Sequence, residues 1–378
     1  MPHVLVRMVE SRQDLEAFCR FPWRIYRGDS HWVPPLLADR RRYLDPKTGP
    51  FYSHADLVLF QARRGRELAG TIAPFVDHTL VQQTGRRAGG FGFFETVHDW
   101  EVAGALLDAA CGWLREQGAE SIEGPHSFTA NEAPGVLVEP SRYPQAMLEA
   151  YTPLYYHEML ERYGMQPLEE LYAYRAARGT FGEGLEKLPA DLVRVAEAVR
   201  KAAQVRIRPL RMAEWDAEVG LALYLYNETI RDVLGNPPMP EADFRRMVRP
   251  LKGLIDPDLI LFAEIDGKPV GFCVAVPDPS RVLIHLNGRL WPLGWLKALY
   301  WRRRIDMVSF RLMGVLPEYR RRGIESILYL DVLKAIWRKG YDSLEGAVTS
   351  SRNPGINLIA TRLGAERHKH FRLYKMAL

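Results

Sequence analysis

The chain has 378 residues, 47% of them hydrophobic and 26% charged, and a formal net charge of +5. That length is too great for one small core and suits two domains, and the composition is that of an ordinary soluble protein. The charge comes from 41 arginines and 10 lysines. No basic run interleaved with aromatics marks a nucleic-acid surface, so no nucleic-acid partner is expected.

Cys19, Cys111 and Cys273 lie far apart and form no Cys-x-x-Cys pair. Their spacing supports neither a metal site nor a disulfide framework and predicts a reducing, cytoplasmic compartment. The start, Met-Pro-His-Val-Leu-Val-Arg, lacks the basic and long apolar regions of a signal peptide. No run of about 18 apolar residues predicts a membrane span.

In chain order, the first β-rich run is Asp56-Leu-Val-Leu-Phe60, followed by a turn at Gly65 and a strand from Leu68 to Phe75. A strand from Gly89 to Thr96 runs into Val97-His-Asp-Trp-Glu-Val-Ala103 and a helix. Trp113-Leu-Arg-Glu-Gln-Gly118 leads into Glu120-Ser-Ile-Glu-Gly124, and Arg162-Tyr-Gly-Met165 precedes Tyr174. Residues 175–203 read as a linker, loop-like at first and helical from Leu185 to Ala203.

The order then repeats about 200 residues on. Asp258-Leu-Ile-Leu-Phe262, Gly267 and a strand from Pro269 to Val276 match the first hairpin. Trp337-Arg-Lys-Gly340 leads into Asp342-Ser-Leu-Glu-Gly346, and Arg362-Leu-Gly-Ala365 precedes Tyr374. Residues 1–174 and 204–378 are therefore expected to be two copies of one domain. Residues present in both copies, Tyr174 with Tyr374 and Glu123 with Glu345, are expected to be structural. Each copy alternates α and β in an order that predicts a mixed sheet with helices on both faces. The second copy carries an insertion, Val282 to Arg304, with four large aromatics and a basic end. Packing onto the first copy is its simplest reading; lining an acceptor pocket or lying on a membrane surface are the others.

The second copy also contains Met313-Gly-Val-Leu-Pro-Glu-Tyr-Arg-Arg-Arg-Gly-Ile-Glu325. An apolar strand, Val308 to Leu316, ends at Pro317. Then come Arg320, Arg321, Arg322 and Gly323, and then Ile324, Ile327, Leu328, Val332, Ala335 and Ile336 at helical spacing. A strand, a basic turn and a helix start aim backbone N–H groups at one spot, which attracts an anion. Gly323 lets a phosphate approach the backbone, and Gly314 is expected to allow a bulge in the strand.

This segment resembles motif A of the GCN5-related N-acetyltransferases (GNAT), whose pyrophosphate loop reads Gln/Arg-x-x-Gly-x-Gly/Ala. Arg320 and Gly323 match it, and Glu325 stands where the family has glycine or alanine. Asn353 to Gly364 is similar to motif B, with Ala360 in place of the family's tyrosine. The resemblance implies an α/β (α+β) chain of two tandem GNAT-like domains, each a mixed, mostly antiparallel sheet with helices on both faces. It implies an N-acyltransferase that uses acetyl-CoA or another acyl-CoA, with a small-molecule or peptide amine as acceptor. It places Arg320, Arg321, Arg322, Gly323, Ile324 and Glu325 at the pyrophosphate. It places the backbone of Met313 and Val315, and the side chain of Asn353, along the pantetheine arm.

Glu228, on the first helix of the second copy ahead of the turn-rich loop Leu234 to Glu241, is the candidate base. In the first copy the matching turn carries Glu95, Asp99 and Glu101 and is expected not to hold coenzyme A. The histidines show no paired spacing, so no metal is expected. A non-catalytic acyl-CoA sensor, and a transferase for aminoacyl-tRNA or a lipid-like acceptor, are the competing readings.

Overall fold

Apolar runs become strands where they find partners. In the computed structural model of this chain, which describes residues 3–128, 132–182, 185–202, 205–229 and 238–378, fifteen strands join one sheet. They are β1 (Val4–Met8), β2 (Ala55–Leu57), β3 (Phe60–Arg64), β4 (Glu67–Asp77), β5 (Ala88–Thr96), β6 (Ser121–Gly124), β7 (Val136–Leu137) and β8 (Gln166–Ala177), followed by β9 (Arg206–Pro209), β10 (Ile260–Ile265), β11 (Lys268–Pro277), β12 (Met307–Val315), β13 (Ser343–Gly346), β14 (Thr349–Ser350) and β15 (Glu366–Ala377). The helices that matter here are α1 (Trp100–Glu116), α2 (Tyr155–Tyr163), α3 (Ala190–Ala202), α4 (Trp215–Thr229), α5 (Gly294–Arg302), α6 (Ile324–Arg338) and α7 (Pro354–Arg362).

The sheet order is β1-β3-β4-β5-β6-β15-β8-β13-β12-β11-β10-β9. It reads the same from either edge once the two halves are matched. Its two parallel pairs are β5 with β6, joined by α1, and β12 with β13, joined by α6. All other pairs are antiparallel. The last strand of each half is exchanged: β8 lies against β13, and β15 lies against β6. Tyr174 on β8 donates to Asn357 Oδ1 of α7 at 3.0 Å, and Tyr374 on β15 donates to Glu161 Oε1 of α2 at 2.9 Å. These twin tyrosines tie each exchanged strand to the other half.

Of the apolar clusters against the sheet, two hold its crossover helices. Val102, Leu106, Ala110 and Leu114 of α1 pack on the first half. All six apolar residues that set the spacing of α6 are buried on the second. Each fully buried Ile or Leu contributes about 1.5–3 kcal/mol of transfer free energy, which fixes the helix and therefore the turn before it.

Several expected elements differ. The strand expected over Ser343 to Thr349 divides, because β13 pairs with β12 and β8 while β14 pairs with β8 alone. The linker helix begins at Ala190, not Leu185, since Pro189 cannot sit inside a helix. β8 runs three residues past Tyr174 into the linker, and α3 packs beside α6, where Arg200 pairs with Asp331 at 2.6 Å. Of the loop Leu234 to Glu241, residues 234–237 lie outside the described residues. No described helix is long and apolar enough to cross a membrane.

Candidate active site at the parting of two strands

β12 and β13 pair over only four residues, Met307↔Ser343 to Phe310↔Gly346. One more rung, Ala347 N–H to Phe310 O at 2.8 Å, closes the ladder. Beyond it β14 turns to β8, so β12 from Arg311 to Val315 has β11 on one side and an open edge on the other. Leu316 N–H donates to Val270 O on the β11 side. Strand alternation then turns the N–H groups of Met313 and Val315 to the open edge. The bulge falls at Arg311, where Val274↔Leu312 follows Ala275↔Phe310, and not at Gly314 as expected. Gly314 has another cause: a Cβ there would lie 2.0 Å from Thr229 Oγ1, so only glycine lets α4 press against the strand.

At the end of β12 the three arginines diverge. Arg320 Nε donates to Val315 O at 3.1 Å and its Nη2 to Thr229 O at 3.0 Å, bracing the turn against β12 and α4. Arg321 is exposed with φ +61°, and Arg322 is exposed with its guanidinium 5.0 Å from the Tyr319 ring centre. Gly323 is the N-cap of α6 in the left-handed region, and no side chain among the described residues caps that helix. The first amides of α6, at Ile324 and Glu325, therefore retain the anion-binding character of a bare helix start. The half-buried Glu325 lies in that first turn, one helical turn before Tyr329. Gly323 meets a second demand as well, because a Cβ would come within 2.8 Å of Val199 and 2.9 Å of Val195 on α3.

The first half shows the contrast. Asp99 accepts from Glu101 N–H and Val102 N–H at the start of α1, and Arg64 binds both Asp99 and Glu101 at 2.7 Å. The space past the short β5–β6 ladder holds Phe128, which packs on Phe93 at 4.9 Å and stacks on Phe51 at 5.0 Å. Glu95 is half-buried under the hydroxyls of Tyr26 and Tyr156, each 2.9 Å away, and desolvation pushes its carboxyl up to about 7.

Next to the parting in the second half, the three strands present two different faces. Val308, Leu344 and Ala176 face α6, whereas their neighbours Ser309, Glu345 and Arg175 face the other way. Glu345 is one residue, about 3.3 Å along the strand, from the last paired position. It is buried and hydrogen-bonds His368 Nε2. Among the described residues no donor hydrogen-bonds its Oε2, and Arg175 Nη1 lies 3.5 Å from it. Lys369 Nζ donates to Glu149 Oε2 at 2.5 Å and lies 3.9 Å from Glu345. Ser309 donates to Asp278 at 2.6 Å, and Arg311 Nη1 donates to Met147 O at 2.9 Å. Burial pushes the Glu345 and Glu149 carboxyls up, with Lys369 opposing. Burial and Lys369 pull His368 down to about 4, so its imidazole is neutral. Glu149, Glu345 and His368 bring three ligand-type atoms within 4.8 Å of one another. The Lys369 ammonium already serves as the cation among them, so a metal ion would have to displace it.

Met313, Val315 and the 320–325 turn thus lie in sequence along one edge. Asn353 is the N-cap of α7, accepting from Ile356 N–H at 3.2 Å. Glu228 is exposed in the last turn of α4, beside Thr229. The repeat partners Glu123 and Glu345 differ in their surroundings. Glu123 pairs with Arg86 near the surface, while Glu345 is sealed in a cluster. Arg311, His368 and Lys369, which lie near Glu345, are not singled out by the sequence. Their signal was charge placed inside apolar strands, which is costly unless partnered.

Residues 225–365 match the family model described as "Acetyltransferase (GNAT) family". The chain is 32% identical over 380 residues to Protein YghO of Escherichia coli strain K12, covering 98% of this chain and 95% of that protein. It is 31% identical over 381 residues to the bacterial ceramide synthase of Caulobacter vibrioides, covering 98% and 96%. Among solved structures, a tandem GNAT protein from the clavulanic acid biosynthesis pathway shares the fold, with a TM-score of 0.58 at 11% identity over 99% of this chain and 98% of that one.

Proposed function

This chain belongs to the GCN5-related N-acetyltransferase superfamily, and from that premise we propose that its second half moves a long-chain acyl group from coenzyme A to the amine of a lipid-like amino alcohol. The acceptor class rests on the similarity to the bacterial ceramide synthase, a ceramide being an N-acylated long-chain amino alcohol. The observation that carries the transfer chemistry is the open edge of β12 leading to the uncapped start of α6.

In this reading the amides of α6, with Arg321 and Arg322 beside them, take the pyrophosphate, and Arg320 braces the turn. The Met313 and Val315 N–H groups hold the pantetheine arm, and Asn353 faces it from the other wall. Holding thioester and amine together supplies most of the rate, and a backbone N–H at the parting stabilises the oxyanion. The amine nitrogen attacks the thioester carbon, the C–S bond breaks, the nitrogen gives up a proton and the thiolate takes one. Glu345, aligned by His368, is the base we assign; Glu228 is the alternative on the α4 side. The first half contributes Met147 and Glu149 to the wall opposite α6.

The test is calorimetric titration with coenzyme A and acyl-CoAs of increasing length, followed by thiol release with a panel of amines including long-chain amino alcohols. Binding with release that favours long acyl chains and the lipid amines is expected. Binding without release would make the chain a sensor. A co-crystal with the nucleotide on α1, or no binding, would overturn the site.

A further inference from the structure

The excursion between β11 and β12 is rooted firmly and ends bare. At its root Asp278 N–H donates to Met307 O at 2.9 Å, Trp23 Nε1 donates to Asn287 Oδ1 at 2.7 Å, and Leu37 N–H donates to Gly288 O at 3.0 Å. The root therefore packs on the first half, but the tip does not. α5 has no buried residue. Of the fifteen exposed large apolar side chains among the described residues, seven fall between residues 290 and 300. Trp291 is 77% exposed and Leu293 64%, and Trp295, Leu296, Leu299 and Tyr300 continue the patch. A nine-residue helix is marginal in water by itself. This one is held by His285 stacked on Trp301 at 3.6 Å and by Arg304 lying 3.7 Å from the Tyr300 ring centre. The patch is thus displayed on a braced support.

Charge selects what covers it. Residues 284–305 hold five basic side chains, Arg289, Lys297, Arg302, Arg303 and Arg304, and no acidic one. All five are exposed. A two-fold contact with a second copy would set the same positive patches against each other. Tryptophan and tyrosine among leucines, rimmed by arginine and lysine, instead match the interface of a bilayer with anionic headgroups.

We propose that residues 289–304 are a peripheral membrane-docking element that seats the protein on anionic lipid. The excursion starts at Asp278, which contacts Ser309 beside the strand parting. The inference stands without the transfer reaction, because neither acyl-CoA nor an acceptor is needed for it.

The experiment is co-sedimentation of the full chain with phosphatidylcholine vesicles and with vesicles carrying about three parts in ten phosphatidylglycerol, with tryptophan emission read in parallel. Binding to the anionic vesicles with a blue shift, and little binding to the neutral ones, is expected. At about fivefold per basic residue near such a surface, R289E/R302E/R303E should weaken binding on the order of a hundredfold. W291S/L293S should lose the blue shift and at least tenfold in affinity while melting like the wild type. Equal partition onto both vesicle types, or variants that bind as the wild type does, would overturn the proposal. So would a dimer, seen by light scattering without lipid, that W291S/L293S dissolves.

Discussion

Replacing Gly323 with alanine separates two demands on one atom-sized space. The residue sits at φ +80° and ψ 10°, where an L side chain costs about 1–2 kcal/mol. The new methyl would lie 2.8 Å from Val199 Cγ2 and 2.9 Å from Val195 Cγ1, well inside the 3.5–4.0 Å optimum for carbon pairs. α3 must yield, and overpacking of this kind costs about 1–3 kcal/mol. The sum is a loss of roughly 2–5 kcal/mol, read by urea denaturation. Trimming both valines in G323A/V195A/V199A removes the clash but not the strain, so about half of the loss should return, a non-additivity expected of touching residues. Coenzyme A titration of the refolded triple variant then reports on the loop alone. A single variant within 0.5 kcal/mol of wild type, or a triple variant no more stable than the single, would refute the packing argument. Undiminished coenzyme A affinity in the triple variant would refute the need for a bare Gly323 beside the phosphate.

Glu95 gives a pH test. Burial raises its carboxyl from 4.5 to about 7, so the native state keeps a proton that the unfolded chain releases, and stability falls as pH rises from 4.5 to 7. The window is worth on the order of 3 kcal/mol. E95Q should flatten that fall and be the more stable protein at pH 8, and parallel melting curves of the two proteins across pH would sink the idea. E345Q should retain coenzyme A affinity and lose about a hundredfold or more in thiol release; unchanged turnover in a folded E345Q would return the base role to Glu228. D99A removes the cap of α1 and should cost about 1 kcal/mol in urea denaturation without creating a second coenzyme A site. G314A should be poorly folded, because its methyl would lie 2.0 Å from Thr229 Oγ1, and pairing it with T229G should restore part of the melting temperature.

The strand, turn and helix start of the candidate site were legible because they are local. The spacing of Ile324, Ile327, Leu328, Val332, Ala335 and Ile336 fixes a buried helix face, and the arginines and glycine before it fix where its amides point. The resemblance placed Met313 and Val315 along the pantetheine arm, and the bulge expected at Gly314 lies at Arg311. Glycine signals close approach as readily as a bulge, and only the position of α4 distinguishes the two. Glu123 and Glu345 match in sequence, yet that identity conceals their different surroundings.

The sequence alone determined the alternation of strands and helices, the two-fold repetition and the anion-seeking turn, because hydrophobic period, glycine and charge act over a few residues. The tertiary structure decided the rest. It exchanged β8 and β15 between the halves, gave Gly323 a second partner in α3, closed the first half with Asp99 and Phe128, and gathered Glu345, His368, Lys369 and Glu149 from strands and loops up to 220 residues apart. Pairing between distant strands is a choice among many edges of similar local pattern. The deciding term is which arrangement buries every apolar face and leaves no charge without a partner.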